Sequence, residues 1–184
     1  MAARLSTILR AGAVAIAAAM AVAACTSPDR PSVQADTIVL PTPLRSHGPS
    51  VATTIGQLQA ALTAAGGRLV EPVGGYRPSE PPSLLQLPRA VMRADLADPD
   101  DGYVVIYQAA SSSAARERAL ELADHVASGF GQTNFSPDTQ FSVSVLGDTV
   151  IFASWSRGRS ADPDRAEAAF DAIAAVGEAV EVRK

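Results

Sequence analysis

Residues 141–155 (FSVSVLGDTVIFASW) constrain the fold more than any other part of the chain. Two runs rich in β-branched and aromatic residues flank Gly147-Asp148, a two-residue turn whose glycine supplies the positive φ of a tight hairpin. Pairing outward from that turn predicts Val145 opposite Val150, Val143 opposite Phe152 and Phe141 opposite Ser154. Directly opposed residues share a face, so one face of the hairpin is almost wholly apolar. The other carries Ser142, Ser144, Thr149, Ile151, Ala153 and Trp155. An isolated two-stranded hairpin is marginal in water, so this one requires further strands and a helical cover.

The flanking sequence offers both. Ser112 or Ser113 can cap a helix that runs to Ser128, with Ala115, Ala119, Leu122 and Val126 along one face and Gly129 as its stop. After the hairpin, Asp162 as N-cap and Pro163 at the first helical position open another helix, with Ala166, Ala169, Phe170, Ile173 and Val176 as its stripe and Gly177 at its end. Glu178 to Val182 alternates as a closing strand. Upstream, Ala90 to Leu96 and Tyr103 to Gln108 read as two strands joined by the turn Asp98 to Gly102. Arg68 to Val70 reads as a short strand, and Thr54 to Ala65 as a helix capped by Thr53 or Thr54 and ended by Gly66-Gly67. Residues 103–182 therefore run strand, helix, strand, strand, helix, strand, the order of a ferredoxin-like (βαββαβ) unit. The predicted class is α+β. Its antiparallel sheet carries both of these helices on the face of Phe141, Val143, Val145 and Phe152, and the first helix covers the opposite face.

The N-terminus predicts export. Arg4 and Arg10 precede an apolar run from Ala11 to Ala24, too short for the roughly 20 residues of a membrane span but suited to a signal peptide. The residues Val22-Ala23-Ala24-Cys25 resemble a lipobox, the signal of bacterial lipoproteins. The resemblance implies that residues 1–24 are removed and that Cys25, the chain's only cysteine, carries diacylglycerol with acyl chains such as palmitate. It further implies attachment to the bacterial cell membrane or outer membrane. Several acyl chains at about 0.8 kcal/mol per buried CH₂ make a stable anchor. With no second cysteine there is no intramolecular disulfide, and the folded domain depends on its own core. Pro28, Pro31, Pro41, Pro43 and Pro49 mark residues 25–50 as an extended tether, leaving residues 51–184 as one domain. Removing residues 1–24 takes away two arginines and no acid, moving the formal charge from −4 to −6. An acidic chain lacks the basic footprint of a nucleic-acid binder.

Sites of chemistry are sparse. His47 falls in the tether, and His125 lies near a helix end with no second histidine or cysteine nearby, the position of a dipole partner rather than a metal ligand. Asp95, Asp98, Asp100 and Asp101 lack the spacing and closing glutamate of a calcium loop, and turn chemistry accounts for them. Ser111-Ser112-Ser113 sits where a helix needs caps, outside any nucleophile elbow. The glycine pairs at 66–67 and 74–75 do not join a strand to a helix as a phosphate loop does. No catalytic residue, metal or cofactor is assigned.

Two loops remain as binding candidates. Residues 155–160 concentrate the only tryptophan, Trp155, with Arg157 and Arg159 beside a helix start, and these residue types dominate binding hot spots. The second is the loop marked by Pro72, Pro78, Pro81, Pro82 and Pro88, which presents Tyr76 and Arg77 beside Glu80. Long loops within compact domains are commonly functional, and proline lowers the entropy of ordering on a partner.

The succession of helix, Gly66-Gly67, strand, Pro-rich loop, hairpin and closing strand and helix resembles a group of short bacterial lipoproteins of unknown activity. Tyr103-Val104-Val105, the Ala-rich helix and the second strand–helix pair are also similar to a SPOR-type peptidoglycan-binding domain. That family's Arg-Val-x-Val-Gly-Pro-Phe type of strand is replaced here by residues 141–147 (FSVSVLG), so no residue roles carry over. The leading expectation is a non-enzymatic envelope lipoprotein that binds a protein partner or cell-wall component. The alternative is a carrier or sensor of a small or amphipathic ligand, in a cleft between the first helix and the sheet. A hydrolase ranks third, and would require a serine or aspartate clustered with His125.

Overall fold

The computed structural model describes residues 48–72, 79–95 and 102–183. They form helix α1 (Pro49–Ala64), strand β1 (Arg68–Val70), the one-turn helix α2 (Pro82–Leu85), strands β2 (Arg89–Asp95) and β3 (Tyr103–Gln108), helix α3 (Ser112–Ala127), strands β4 (Thr139–Leu146) and β5 (Thr149–Ser156), helix α4 (Pro163–Ala174) and strand β6 (Glu178–Val180). A single 3₁₀ turn, Arg157–Arg159, links β5 to α4. The strands make one antiparallel sheet in the order β1-β2-β3-β5-β4-β6. The α+β class and the expected order of elements are both found.

The hairpin has the register expected from its turn. Val145 faces Val150, Val143 faces Phe152, Phe141 faces Ser154, and Gly147 takes φ 60°. Pairing continues to Thr139 opposite Ser156, and all of β5 is buried. Val143, Val150 and Phe152 lie in a cluster with Ala115, Ala119, Leu122 and Val126 of α3 and Leu84 of α2. Ile151, Ala153 and Trp155 lie in a second cluster, with Leu58 and Leu62 of α1 and Phe170 and Ile173 of α4. The sheet is thus covered on both faces.

Here the structure corrects one expectation. α3 alone of the two crossover helices covers the Phe152 face, while α4 joins α1 on the other. The cause is the sheet edge. In a ferredoxin-like sheet the last strand would pair with β3, but β2 already occupies that edge. β6 therefore adds to β4, pairing Val143 with Val180 and Val145 with Glu178. Each crossover then steps over one strand in the same direction, β3 to β4 across β5 and β5 to β6 across β4. Because β3 and β5 are antiparallel, crossovers of one hand must place their helices on opposite faces. They do, as the strong preference for a single crossover hand requires.

Helix ends follow their local chemistry, with two departures from expectation. α3 is capped by Ser111, whose Oγ accepts from Ala114 N at 3.2 Å, one residue earlier than the serines expected. α1 starts at Pro49 rather than Thr54, because proline suits a first helical position where the N–H is unbonded anyway. Its stripe then gains Val51, which is buried, and neither Thr53 nor Thr54 caps it. Thr54 instead bonds Thr149 of β5, with 2.9 Å between the buried hydroxyls. At α4, Asp162 accepts from Arg165 N as an N-cap should. The start of α1 lies at the hairpin-turn end of the sheet, where Ser50 Oγ donates to Asp148 at 3.0 Å.

Candidate functional site

Beyond Trp155 the chain leaves β5 and turns through Arg157–Arg159 before α4 begins. The alternation of β5 puts Trp155 on the face of Ile151 and Ala153, where α1 and α4 close over it. It is 1% exposed, and its ring centroid lies 6.1 Å from that of Phe170. Burying an aromatic of this size removes roughly 200 Å² from water, an upper-bound contribution of about 5 kcal/mol at 25 cal/mol per Å². Trp155 is a core residue, and the expectation that it meets a partner at the surface is corrected accordingly. Arg157 and Arg159 are exposed, as expected.

An acidic residue that sequence reasoning passed over holds this turn. Asp138 precedes β4, and its carboxylate accepts from Ser156 Oγ at 2.8 Å and from the Gly158 N–H at 2.6 Å. The Gly158 amide foremost, with the Ser156 hydroxyl, keeps the Asp138 carboxyl below its ordinary value. A Cβ built on Gly158 would lie 3.0 Å from Asp138 Oδ2, so the carboxylate approaches a bare backbone. Arg157 donates to Asp164 at 3.0 Å and to Glu167 at 2.6 Å, tying the turn to the first turns of α4. These carboxylates raise the Arg157 pKa, with Asp164 the largest cause. The turn is thus held from both sides, while Arg159 has no hydrogen bond or ion pair among the described residues.

Of the second candidate loop, Tyr76 and Arg77 lie outside the described residues, as do Cys25, His47, Asp98, Asp100 and Asp101. Its C-terminal end is described, and it contains the most buried charge in the ion pairs among the described residues. The Glu80 side chain, 2% exposed, accepts from the buried Tyr107 hydroxyl and pairs with Arg89. Beside it, His125 Nε2 lies 3.1 Å from both Ser79 Oγ and Ser79 O, and its ring meets Phe130 edge-on. No sequence signal marks the Glu80–Arg89 pair, since periodicity does not cross a proline-rich loop.

The serine–histidine contact brings together two of the groups a hydrolase needs. One imidazole nitrogen faces both a hydroxyl and a carbonyl, however, and an Nε2–H donated to the carbonyl cannot serve as a base. Among the described residues no group of three or more His, Cys, Asp or Glu side chains could hold a metal, and Asp95 is taken by Arg68 at 2.7 Å. The cavity lined by Ala94, Gly102, Val104, Ala153, Trp155 and Phe170 amounts to about 10 Å³. That is room for about one water and far below the ~300 Å³ of a small-molecule site. Among the described residues no helix is long and apolar enough to cross a membrane. The chain matches no family model, no curated protein and no solved structure.

Proposed function

We propose that the chain is an exported lipoprotein, held to a bacterial membrane by lipid on Cys25, whose α+β domain is a non-enzymatic binding module for an envelope protein or cell-wall component. The lipobox-like residues Val22-Ala23-Ala24-Cys25 and the Pro-rich tether support the attachment. The observation that carries the binding role is the position of the Arg157–Arg159 turn relative to the start of α1. The tether joins the domain at α1, which begins beside the β4–β5 turn through the Ser50–Asp148 bond. β5 leads from that turn to Ser156 over eight residues, so Arg157 and Arg159 lie roughly 25 Å away at the other end of the sheet. A domain tethered at one end offers its opposite end to partners.

The pinned turn suits recognition as well. Asp138 and the Arg157 ion pairs fix its backbone in advance, which lowers the ordering cost on binding. The test is the double variant Arg157→Ala, Arg159→Ala in co-sedimentation with isolated cell wall and in partner capture from cross-linked cells. The variant is expected to fold as wild type, since exposed substitutions typically cost within about 0.5 kcal/mol, and to lose recovery of what the wild type captures. Undiminished recovery by a well-folded double variant would remove this turn from the site.

A further inference from the structure

On the α3-covered face, the ladder sets Val70, Arg93, Tyr103, Ser154 and Phe141 side by side in one row across the sheet. Alternation along β2 puts Arg93 on this face with Val91, while Ala90, Met92 and Ala94 belong to the opposite core. Arg93 is half-buried, and its Nε is fully buried with no hydrogen-bond partner.

Among the described residues that state sets Arg93 apart. Arg68 pairs with Asp95, Arg89 with Glu80, Arg116 with Glu178, Arg118 with Glu121, Arg157 with Asp164 and Glu167, and Arg183 with Glu181. Arg165 donates to the Gly66 carbonyl at 2.6 Å, and Arg159, though without a bonded partner, is exposed to water. Among the described residues, the acidic groups along Arg93's own strand face and near the start of its strand are already engaged, Asp95 by Arg68 and Glu80 by Arg89. Arg93 is therefore a guanidinium partly withdrawn from water with no counter-charge among the described residues, an arrangement that destabilises a free protein. An arriving anion would relieve it.

We propose that Arg93 is the centre of an oxyanion-binding site on this sheet face, taking a carboxylate or phosphate group of a ligand beside its cross-strand neighbour Tyr103. The planar fork of arginine matches both groups, with two parallel N–H donors for two oxygens. The site lies on the sheet and is independent of the Arg157–Arg159 turn.

The test uses the full-length ¹⁵N-labelled protein in detergent micelles, titrated with sodium acetate and, separately, inorganic phosphate at constant ionic strength. The Arg93 Nε–H resonance, assigned by its loss in Arg93→Gln, is expected to shift saturably, and the anion that saturates at lower concentration tells whether carboxylate or phosphate is the group held. Other resonances along the row should shift with it in wild type and stay fixed in Arg93→Gln. Arg93→Met keeps most of the volume and removes the charge, so it should melt above wild type. No saturable shift with either anion overturns the proposal. A Met variant that melts below wild type overturns it as well, because Arg93 would then have a partner within the chain.

Discussion

Glu80 and Arg89, nine positions apart, meet where the Pro-rich loop returns to the sheet, and Tyr107 donates to the same carboxylate from β3. Removing one partner of a buried ion pair is worse than removing both, because the survivor keeps its charge in a poor solvent. Arg89→Ala should therefore destabilise by about 3 kcal/mol, and Arg89→Ala with Glu80→Gln by less, as chemical denaturation would measure. Equal losses in the single and double variants would show that the unpaired Glu80 charge carries no burial cost. Asp138 works in the opposite regime, on the surface. Its folded pKa is depressed by the Gly158 amide and the Ser156 hydroxyl, so its contribution is fully present above the ordinary aspartate range. It is lost as pH falls through the depressed value. The stability gap between wild type and Asp138→Ala should be constant near neutrality and close on strong acidification. A gap that widened toward acid would contradict the hydrogen-bonding origin of the shift.

At the scale of elements, the β4–β5 hairpin was the most legible part of the molecule. Its turn and register were both readable because Gly147-Asp148 admits few connections and a one-residue slip would invert every side chain. Gly147 sits at φ 60°, so Gly147→Val should cost about 1 kcal/mol or more. An unchanged melting temperature would mean that a β-branched residue is tolerated there. The placement of α4 was missed although its cause lay in the same residues. Two expected strands joined by the Asp98–Gly102 turn leave β3 with no free edge, and that sends β6 to β4 and α4 to the far face. Ile151, Ala153 and Trp155 gave a second hint, since a face so apolar needs more than one helix over it. The start of α1 was set too late because five prolines in the preceding stretch suggested tether up to Ser50, while Pro49 is a helix opener.

For the candidate site, chain position and sheet face were legible and depth of burial was not. Arg157 and Arg159 are on the surface, but Trp155 belongs to the core because α4 joins α1 over the face to which alternation assigns it. Asp138 acquires its significance through partners distant in sequence, and Arg93 through the lack of one among the described residues. At the scale of the whole molecule, the described domain is covered on both sheet faces, has edge strands of three residues each, and begins α1 at its hairpin end. Short edges carrying Arg68 and Glu178 discourage strand-to-strand association between copies. The proposed membrane attachment depends on a lipid at Cys25. Intact-mass and N-terminal peptide analysis of the protein from the membrane fraction of the native cell decides it. The expected species begins at Cys25 and carries the added mass of a thioether-linked diacylglycerol. An unmodified Cys25 within a chain cut elsewhere, or recovered only in soluble form, would contradict it.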